Sequence, residues 1–250
     1  MKFEVVTLFP EYFSLSLKQS LIGKAVEKKL FDIEIVNPRE FATDKHRTVD
    51  DTPFGGGGGM VMKIEPLDRC LRSLGFEPGK EQKGHRLVLT SAAGARFDQD
   101  MAIEYSLAEG VTIICGHYLG IDERLVQMYE PDEVSIGDYI LTGGEPAALV
   151  MIDAIARLIP KVLGNFESAL NDSYMDQIVG TPSYTRPAEY EGLAVPPELM
   201  GGNHEVIKRF RRLEAIRKCL SNRPDLLRSA ELTDEEKDFV KEIDEDFHFE

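Results

Sequence analysis

The chain has 250 residues, of which 42% are hydrophobic and 29% charged, and 29 basic against 44 acidic side chains give a formal net charge of −15. This composition excludes a disordered chain and predicts one large globular domain or two modest ones. The most apolar helix candidate, residues 147–160, carries Asp153 and Arg157, so it is too short and too polar to span a membrane. Cys70, Cys115 and Cys219 lie far apart, which predicts neither a zinc site nor disulfides and favours a reducing cytosol.

Strand and helix patterns alternate along the first 160 residues, which predicts an α/β fold with a mainly parallel sheet. The N-terminal residues form a strand pattern that lacks the long apolar segment of a signal peptide. A polar, Gly-rich loop over residues 37–63 interrupts the alternation. The predicted strands are residues 2–8, the segment around Ile33 and Ile35, and residues 86–90, 111–115 and 133–136; the predicted helices are residues 13–30, 67–74, 98–107 (capped by Asp98), 121–129 and 145–159.

The pattern changes near Leu163. Residues 164–202 are polar and irregular and include four prolines, and helical periodicity returns over residues 203–220 and then in short pieces. The sequence therefore predicts a second, all-helical unit joined to the first by a linker.

Three predicted strands lead directly into loops of small residues. These loops begin at Ser91, Gly116 and Gly137, and the last ends in Gly143-Gly144-Glu145. Ligands of open α/β sheets bind outside the carboxyl ends of the strands, and glycines let backbone groups approach them closely. The alternative is a set of ordinary strand–helix turns.

The common nucleotide-binding motifs are absent from this sequence. It has no GxxxxGK[ST] segment, and no GxGxxG follows the first strand. Residues 55–59 resemble a phosphate cradle in composition alone, and a flexible hinge is the alternative interpretation.

Several distinctive motifs are spread over nearly the whole chain. They are HRTVDD at residues 46–51, GGGGGM at 55–60, CG at 115–116 with GIDER at 120–124, SIGDYILTGGE at 135–145 and YTRP at 184–187. In sequence and in order they resemble the motifs of the bacterial tRNA (guanine-N1)-methyltransferases, the TrmD family of the SPOUT superfamily.

This resemblance implies a trefoil-knotted α/β domain over residues 1–163, with a mainly parallel sheet and helices on both faces. It further implies a linker over residues 164–176 and a small all-helical tRNA-binding domain over residues 177–250. Sequence patterns alone would not suggest a knot, because knots are rare exceptions to the rules of chain connection. The resemblance also implies a cytoplasmic homodimer in which each active site contains parts of both chains.

The implied methyl donor is S-adenosylmethionine, held largely by backbone groups of the three loops. The resemblance leaves open whether a divalent ion assists, and no residue is assigned to a metal. The residues assigned to the cofactor are Ser91, Gly116, Tyr118, Ile136, Gly137, Asp138, Tyr139, Ile140, Leu141 and Gly143.

The implied substrate is guanosine 37 of tRNA, next to the anticodon. Guanine N1 carries a proton at neutral pH, so methylation there needs a base to remove the proton and a cation to stabilise the charge on O6. Asp172 matches the family's base, and Arg157 matches the arginine near O6, where its planar donors suit a purine edge. The structural alternatives are a helix cap for Asp172 and a solvated helix face for Arg157.

A basic segment predicts contacts to tRNA phosphates despite the acidic total. Residues 204–228 contain eight Lys and Arg against three acidic residues, a local charge of +5, whereas residues 231–250 contain two lysines against ten acidic residues, or −8. The alternative is a merely solvated helix face. The residues expected to bind tRNA are Lys208, Arg209 and Arg212, with Lys45, His46 and Arg47 in the long loop.

The sequence also departs from the family pattern. His117 and Leu119 stand where the family has arginine and glutamate, Ala92 replaces a proline, Gly180 replaces an acid, and Pro146-Ala147 replaces Leu-Pro. Two other functions remain open: a SPOUT methyltransferase that acts on a ribose 2′-hydroxyl, which would not need the Asp172–Arg157 pair, and a non-catalytic RNA-binding protein of the same fold.

Overall fold

A computed structural model describes residues 1–164, 172–175 and 177–249, and these divide into two compact units, Met1–Gly164 and Asn165–Glu250. The first unit contains a five-stranded sheet in which all neighbouring strands run parallel, as the sequence predicts. Its strands are β1 (Lys2–Val6), β2 (Asp32–Val36), β5 (His85–Arg96), β6 (Gly110–Cys115) and β7 (Asp132–Ser135), in the order β2-β1-β6-β5-β7; β3 (Asp50–Asp51) and β4 (Val61–Met62) form a separate antiparallel pair.

Helices cover both faces of this sheet because side chains alternate along each strand. Phe3 and Val5 belong to one core with residues of α1, α2, α4 and α6, whereas Val6 belongs to a second core with residues of α3 and α5. The helices are α1 (Glu11–Ser16), α2 (Ser20–Glu27), α3 (Ile64–Ser73), α4 (Gln99–Ser106), α5 (Glu123–Tyr129) and α6 (Glu145–Ala156), and a 3₁₀ turn spans Pro38–Phe41.

Two local predictions are confirmed and one is wrong. Every residue of β6 is buried, and the Asp98 side chain caps α4 by accepting the Met101 N–H (2.9 Å). The single helix predicted over residues 13–30 is instead two helices. Ser20, with φ of 56°, lies at the break, since a right-handed helix does not continue through a left-handed residue.

β5 is longer than the strand predicted at residues 86–90 because it pairs with β7 again at Ala95 and Arg96. Thr90 and Ala95 both pair with Val134, so the predicted loop, Ser91 to Gly94, leaves the ladder and returns to the same point on β7. Gly94 lies directly against the backbone of β7, and a Cβ there would lie 2.4 Å from the Glu133 carbonyl carbon. The loop thus ends where only glycine fits beside the neighbouring strand.

The second unit packs its helices around its own apolar core. It contains α7 (His204–Asn222), α8 (Pro224–Ser229) and α9 (Asp234–Ile243), a 3₁₀ turn (Pro197–Leu199), and a hairpin of β8 (Glu189–Tyr190) and β9 (Leu193–Ala194). The predicted helix over 203–220 is confirmed, with Asn203 as its cap. The all-helical expectation omitted the hairpin, whose turn residues Glu191 (φ 49°) and Gly192 (φ 82°) both have the positive φ that a tight two-residue turn requires.

Within the described ranges, no helix is both long enough and apolar enough to cross a membrane.

Candidate active site

A cavity of about 450 Å³ opens at the carboxyl ends of β5, β6 and β7, which are neighbours in the sheet. Its walls come from the end of each strand and the loop that follows. Parallel strands present their carboxyl ends at one edge, and this brings the three predicted loops together. They are thus not independent turns.

Hydrogen bonds join the loops to one another. The Gly116 N–H donates to Thr90 Oγ1 (3.2 Å), whose hydroxyl donates to the Ile114 carbonyl (3.1 Å). The Gly144 N–H donates to the Gly116 carbonyl (2.8 Å). A Cβ at Gly144 would lie 1.9 Å from Thr90 Oγ1 and 2.9 Å from the Cys115 Cα, so this close contact requires glycine.

The loop after β6 is also attached to the end of the Gly-rich segment. The Leu119 N–H donates to the Met60 carbonyl (3.0 Å), and the Met62 N–H donates to the Gly120 carbonyl (3.0 Å). A Cβ on Gly59 would lie 3.0 Å from the Leu119 side chain. Residues 59–62 therefore support one wall of the cavity, a role that composition alone did not predict.

The loop after β7 brings aromatic and aliphatic side chains to the cavity. Gly137 has φ of 148°, and its N–H donates to Ser135 Oγ (3.2 Å). Tyr139 folds back so that its hydroxyl donates to the Ile136 carbonyl (3.3 Å), while Ile140 remains 85% exposed. This wall offers apolar surface together with backbone donors and acceptors.

A buried carboxylate lies behind these loops. Glu145 is only 4% exposed and accepts a hydrogen bond from the Thr7 hydroxyl (2.8 Å). His117 Nδ1 lies 3.9 Å from Glu145 Oε2, and the His117 ring packs against Phe9 (4.9 Å between ring centroids) and Tyr118 (4.8 Å). The sequence analysis did not predict Thr7 as part of this arrangement. Its only signal was a polar residue at the end of the first strand.

The cavity suits a cationic cofactor that is bound mainly by backbone groups. Its volume lies in the usual range for ligand sites, roughly 300–1,000 Å³. The ionisable side chains among its described lining residues are His117, Tyr118, Tyr139, Glu123 and Glu133. Two carboxylates and no Lys or Arg in this lining fit a sulfonium and an ammonium group better than a phosphate.

Comparison with known proteins identifies the family of this chain. A family model described as "tRNA (Guanine-1)-methyltransferase TrmD" matches residues 1–229. The chain belongs to the TrmD family. Relatives from Geobacter metallireducens (47% identical, 98% of each chain), Geobacter sulfurreducens (49%, 95% of this chain and 96% of the relative) and Persephonella marina (46%, 100% and 97%) are each named tRNA (guanine-N(1)-)-methyltransferase.

The residues that the TrmD resemblance assigns to the cofactor lie around this cavity, apart from Asp138. That side chain is exposed on the loop after β7 and is not among the lining residues. The lining residues with this assignment are Ser91, Gly116, Tyr118, Ile136, Gly137, Tyr139, Ile140, Leu141 and Gly143.

The two residues assigned to TrmD catalysis belong to different units. Arg157 is the residue that ends α6, and its side chain lies beside a second cleft of the first unit, together with Asp153 and Gln99. It does not line the first cavity. Asp172 lies in a turn of the second unit, where its carbonyl accepts the Met175 N–H (3.4 Å).

Acidic residues of α9 pair with two arginines that were expected to bind tRNA. Arg209 forms an ion pair with Glu235, and Arg212 Nε donates to Glu236 Oε1 (2.7 Å). Burial opposes ionisation of Glu236, but hydrogen bonds from Arg212 and the Thr233 backbone outweigh it and lower the pKa of the carboxyl. Lys208 is exposed on α7. Acidic residues of the tail thus partly neutralise two arginines of the basic helix.

The other expected tRNA contacts lie on an exposed turn of the first unit. Asp44 holds this turn by accepting the His46 N–H (3.1 Å) and the Thr48 N–H (2.9 Å). Lys45, His46 and Arg47 are exposed on it.

Metal ligation receives no support from the part of the chain that the structure describes. No group of three or more His, Cys, Asp or Glu side chains there is arranged to hold an ion.

Proposed function

We propose that this chain transfers a methyl group from S-adenosylmethionine to N1 of guanosine 37 in tRNA. The observation that carries the proposal is membership of the TrmD family together with a backbone-lined cavity at the carboxyl ends of β5, β6 and β7. The relatives' shared name specifies guanine N1 as the methylated atom.

The cofactor supplies a methyl group on a positively charged sulfur. Groups of the three loops would hold and orient the cofactor, and the apolar side chains of the loop after β7 would exclude water from it. Asp172 removes the N1 proton of the guanine. Arg157 stabilises the negative charge that develops on O6, which a cation near the reacting base does best when water is excluded.

The finer architecture is part of the same proposal. Residues 1–163 would form a knotted methyltransferase domain, residues 164–176 a linker and residues 177–250 a helical tRNA-binding domain. Membership of the TrmD family supports the knot. The enzyme acts in the cytoplasm as a homodimer in which both chains contribute to each active site. This dimer would bring the Asp172 of one chain to the Arg157 of the other.

Nucleoside analysis tests the reaction directly. The purified protein is incubated with tRNA transcripts and S-adenosylmethionine, and the digested product is identified by mass spectrometry. We expect N1-methylguanosine as the product. A transcript with adenosine at position 37 should yield none. A 2′-O-methylated nucleoside would replace the proposal with ribose methylation. Failure to bind the cofactor in calorimetry would indicate a non-catalytic RNA-binding protein.

Two variants test the assigned roles. Asp172→Ala should lower turnover by at least about 10²-fold, the usual effect of losing a general base, with cofactor affinity unchanged. Arg157→Lys should also be severe, because a point charge does not reproduce the planar fork of the guanidinium. Turnover within a few-fold of the parent for Asp172→Ala would contradict the base assignment.

A further inference from the structure

The segment that carries Asp172 is anchored to the helices of the second unit. Ile178 is 4% exposed and belongs to the same apolar core as Cys219 and Leu227. Gln177 Oε1 accepts the Glu231 N–H (3.2 Å). The residues that follow Asp172 are therefore attached to the helices of this unit.

Two further hydrogen bonds fold this segment back towards Asp172. The Tyr174 N–H donates to the Ile178 carbonyl (2.8 Å), and the Gly180 N–H donates to Ser173 Oγ (2.7 Å). Tyr174 has φ of 71°, a conformation that non-glycine residues adopt rarely and keep only where their surroundings hold them. Tyr174 follows Asp172 by two residues, so the contacts of Tyr174 restrain the backbone close to Asp172.

Arg223 contacts the Tyr174 side chain. Its Nη1 donates to Tyr174 Oη (3.4 Å), and its guanidinium carbon lies 6.0 Å from the centre of the Tyr174 ring. The backbone of Arg223 is fixed at the junction of α7 and α8, where its N–H donates to the carbonyl of the buried Cys219 (2.7 Å). The contact thus connects the rigid core to the Asp172 turn.

Asp225 keeps this guanidinium in place. Arg223 Nε donates to Asp225 Oδ1 (3.0 Å), and Nη2 donates to Oδ2 (2.7 Å), which leaves Nη1 directed at the tyrosine. A guanidinium in a two-pronged pair with a carboxylate is geometrically fixed and largely neutralised. It is therefore better suited to hold a neighbouring side chain than to grip a phosphate.

We propose that Arg223 is a positioning residue for the methyl transfer, acting through Tyr174 to hold Asp172 in a productive orientation. The inference rests on the proposed function, since it assumes that Asp172 is the base. It assigns to Arg223 a role different from the phosphate contact that its place in the basic segment suggests.

Steady-state kinetics separates the two roles. Arg223→Ala should lower kcat about tenfold or more, with the S-adenosylmethionine dissociation constant unchanged and the KM for tRNA within about twofold, because a loosely held base is misplaced in the transition state. Lys208→Ala serves as the matched phosphate-contact variant. It should raise the KM for tRNA and reduce the salt dependence of binding by about one unit of slope.

Tyr174→Phe and the double variant Tyr174→Phe/Arg223→Ala complete the test. Tyr174→Phe keeps the ring and loses the hydroxyl, so we expect it to lower kcat less than Arg223→Ala does. Because the two side chains act through one contact, the double variant should lose less than the sum of the two single losses. Hydrogen exchange should show faster exchange of the Tyr174 and Gly180 amides in Arg223→Ala. Exchange needs no turnover, so it reports on the contact even if Asp172 is not the base.

The opposite pattern overturns the proposal. A raised KM and a reduced salt slope with unchanged kcat would make Arg223 a phosphate contact. If Arg223→Ala does not fold, the Tyr174→Phe variant decides. An unchanged kcat and unchanged amide exchange in Tyr174→Phe would also overturn the positioning role. Full turnover in Asp172→Ala would instead remove the base assignment of the proposed function, a result independent of the exchange data.

Discussion

Leu119→Glu should tighten the binding of S-adenosylmethionine. Leu119 lines the cavity, with its backbone fixed by the hydrogen bond to Met60, and its side chain is 61% exposed. The TrmD family pattern has a glutamate at this place, suited to pair with the ammonium of the cofactor's methionine moiety. Because the position is largely exposed, a new carboxylate would stay hydrated in the free protein, and the usual penalty for burying a charge would be small.

The size of the effect follows from the strength of a charged hydrogen bond. Such a bond contributes roughly 1.5–3 kcal/mol, which corresponds to about 10- to 100-fold in the dissociation constant. The exposure of position 119 screens the charge, so we expect a value near the lower end, about tenfold. Titration calorimetry on the parent, Leu119→Glu and Leu119→Gln measures it. Leu119→Gln matches the shape of glutamate without its charge and should gain little.

The main rival explanation is that Glu123 already binds the ammonium, since it also lines the cavity. In that case Glu123→Gln weakens binding in the parent, and Leu119→Glu adds nothing. Equal or weaker binding by Leu119→Glu, with an unchanged circular dichroism spectrum, would refute the idea that this loop lost a cofactor contact.

The other predictions concern packing, assembly and acid stability. Gly144→Ala should destabilise the first unit by about 1–3 kcal/mol, the usual cost of overpacking, and lower its melting temperature by several degrees. Gly58→Ala is the control, because a Cβ added at Gly58 meets no atom within 4 Å. Equal melting curves for the two variants would contradict the packing argument. Mixing Asp172→Ala subunits with Arg157→Ala subunits should restore some methyl transfer, and mixtures that exchange subunits yet stay inactive would exclude shared active sites. Glu236→Gln should lower the stability of the protein to urea at pH 7 but not at low pH. A carboxyl whose pKa is lowered in the folded state stabilises the fold above its ordinary pKa of 4.5, and this contribution is lost as the pH falls through the folded-state pKa. A difference in stability between parent and variant that persists at pH 3 would contradict this reasoning.

The sequence was sufficient to predict the parts of the fold that local physics determines. The run Val111 to Cys115 has no polar residue apart from Thr112, and such a run is typical of a buried parallel strand. Asp98 precedes a helical pattern, where its side chain can satisfy an N–H that the helix leaves free. Both predictions depend on neighbours within a few residues, so no knowledge of tertiary structure was needed.

The features that could not be predicted depend on a distant segment. The small residues Ala92, Ala93 and Gly94 are predicted as part of a loop, but the sequence does not show that β5 resumes after it. The strand resumes because Ala95 pairs with Val134 of β7, and Gly94 lies so close to β7 that it admits no side chain. The role of Met60 in supporting Leu119 was equally inaccessible, since it depends on a backbone hydrogen bond between segments that are far apart in the sequence.

The Gly143-Gly144-Glu145 motif shows why the place of the cavity could be predicted from the sequence while the contacts of its residues could not. Each of its residues meets a different distant partner. A Cβ on Gly143 would lie 2.4 Å from His117 Nδ1, Gly144 packs on Thr90, and Glu145 accepts the hydroxyl of Thr7, which is 138 residues away in the chain. A glycine at a turn and a glutamate at the start of a helix have ordinary local explanations, and nothing nearby indicates otherwise. Because three strand ends meet here, both glycines and the glutamate are needed together. Substitutions across this motif should therefore be strongly non-additive, unlike substitutions at separate turns.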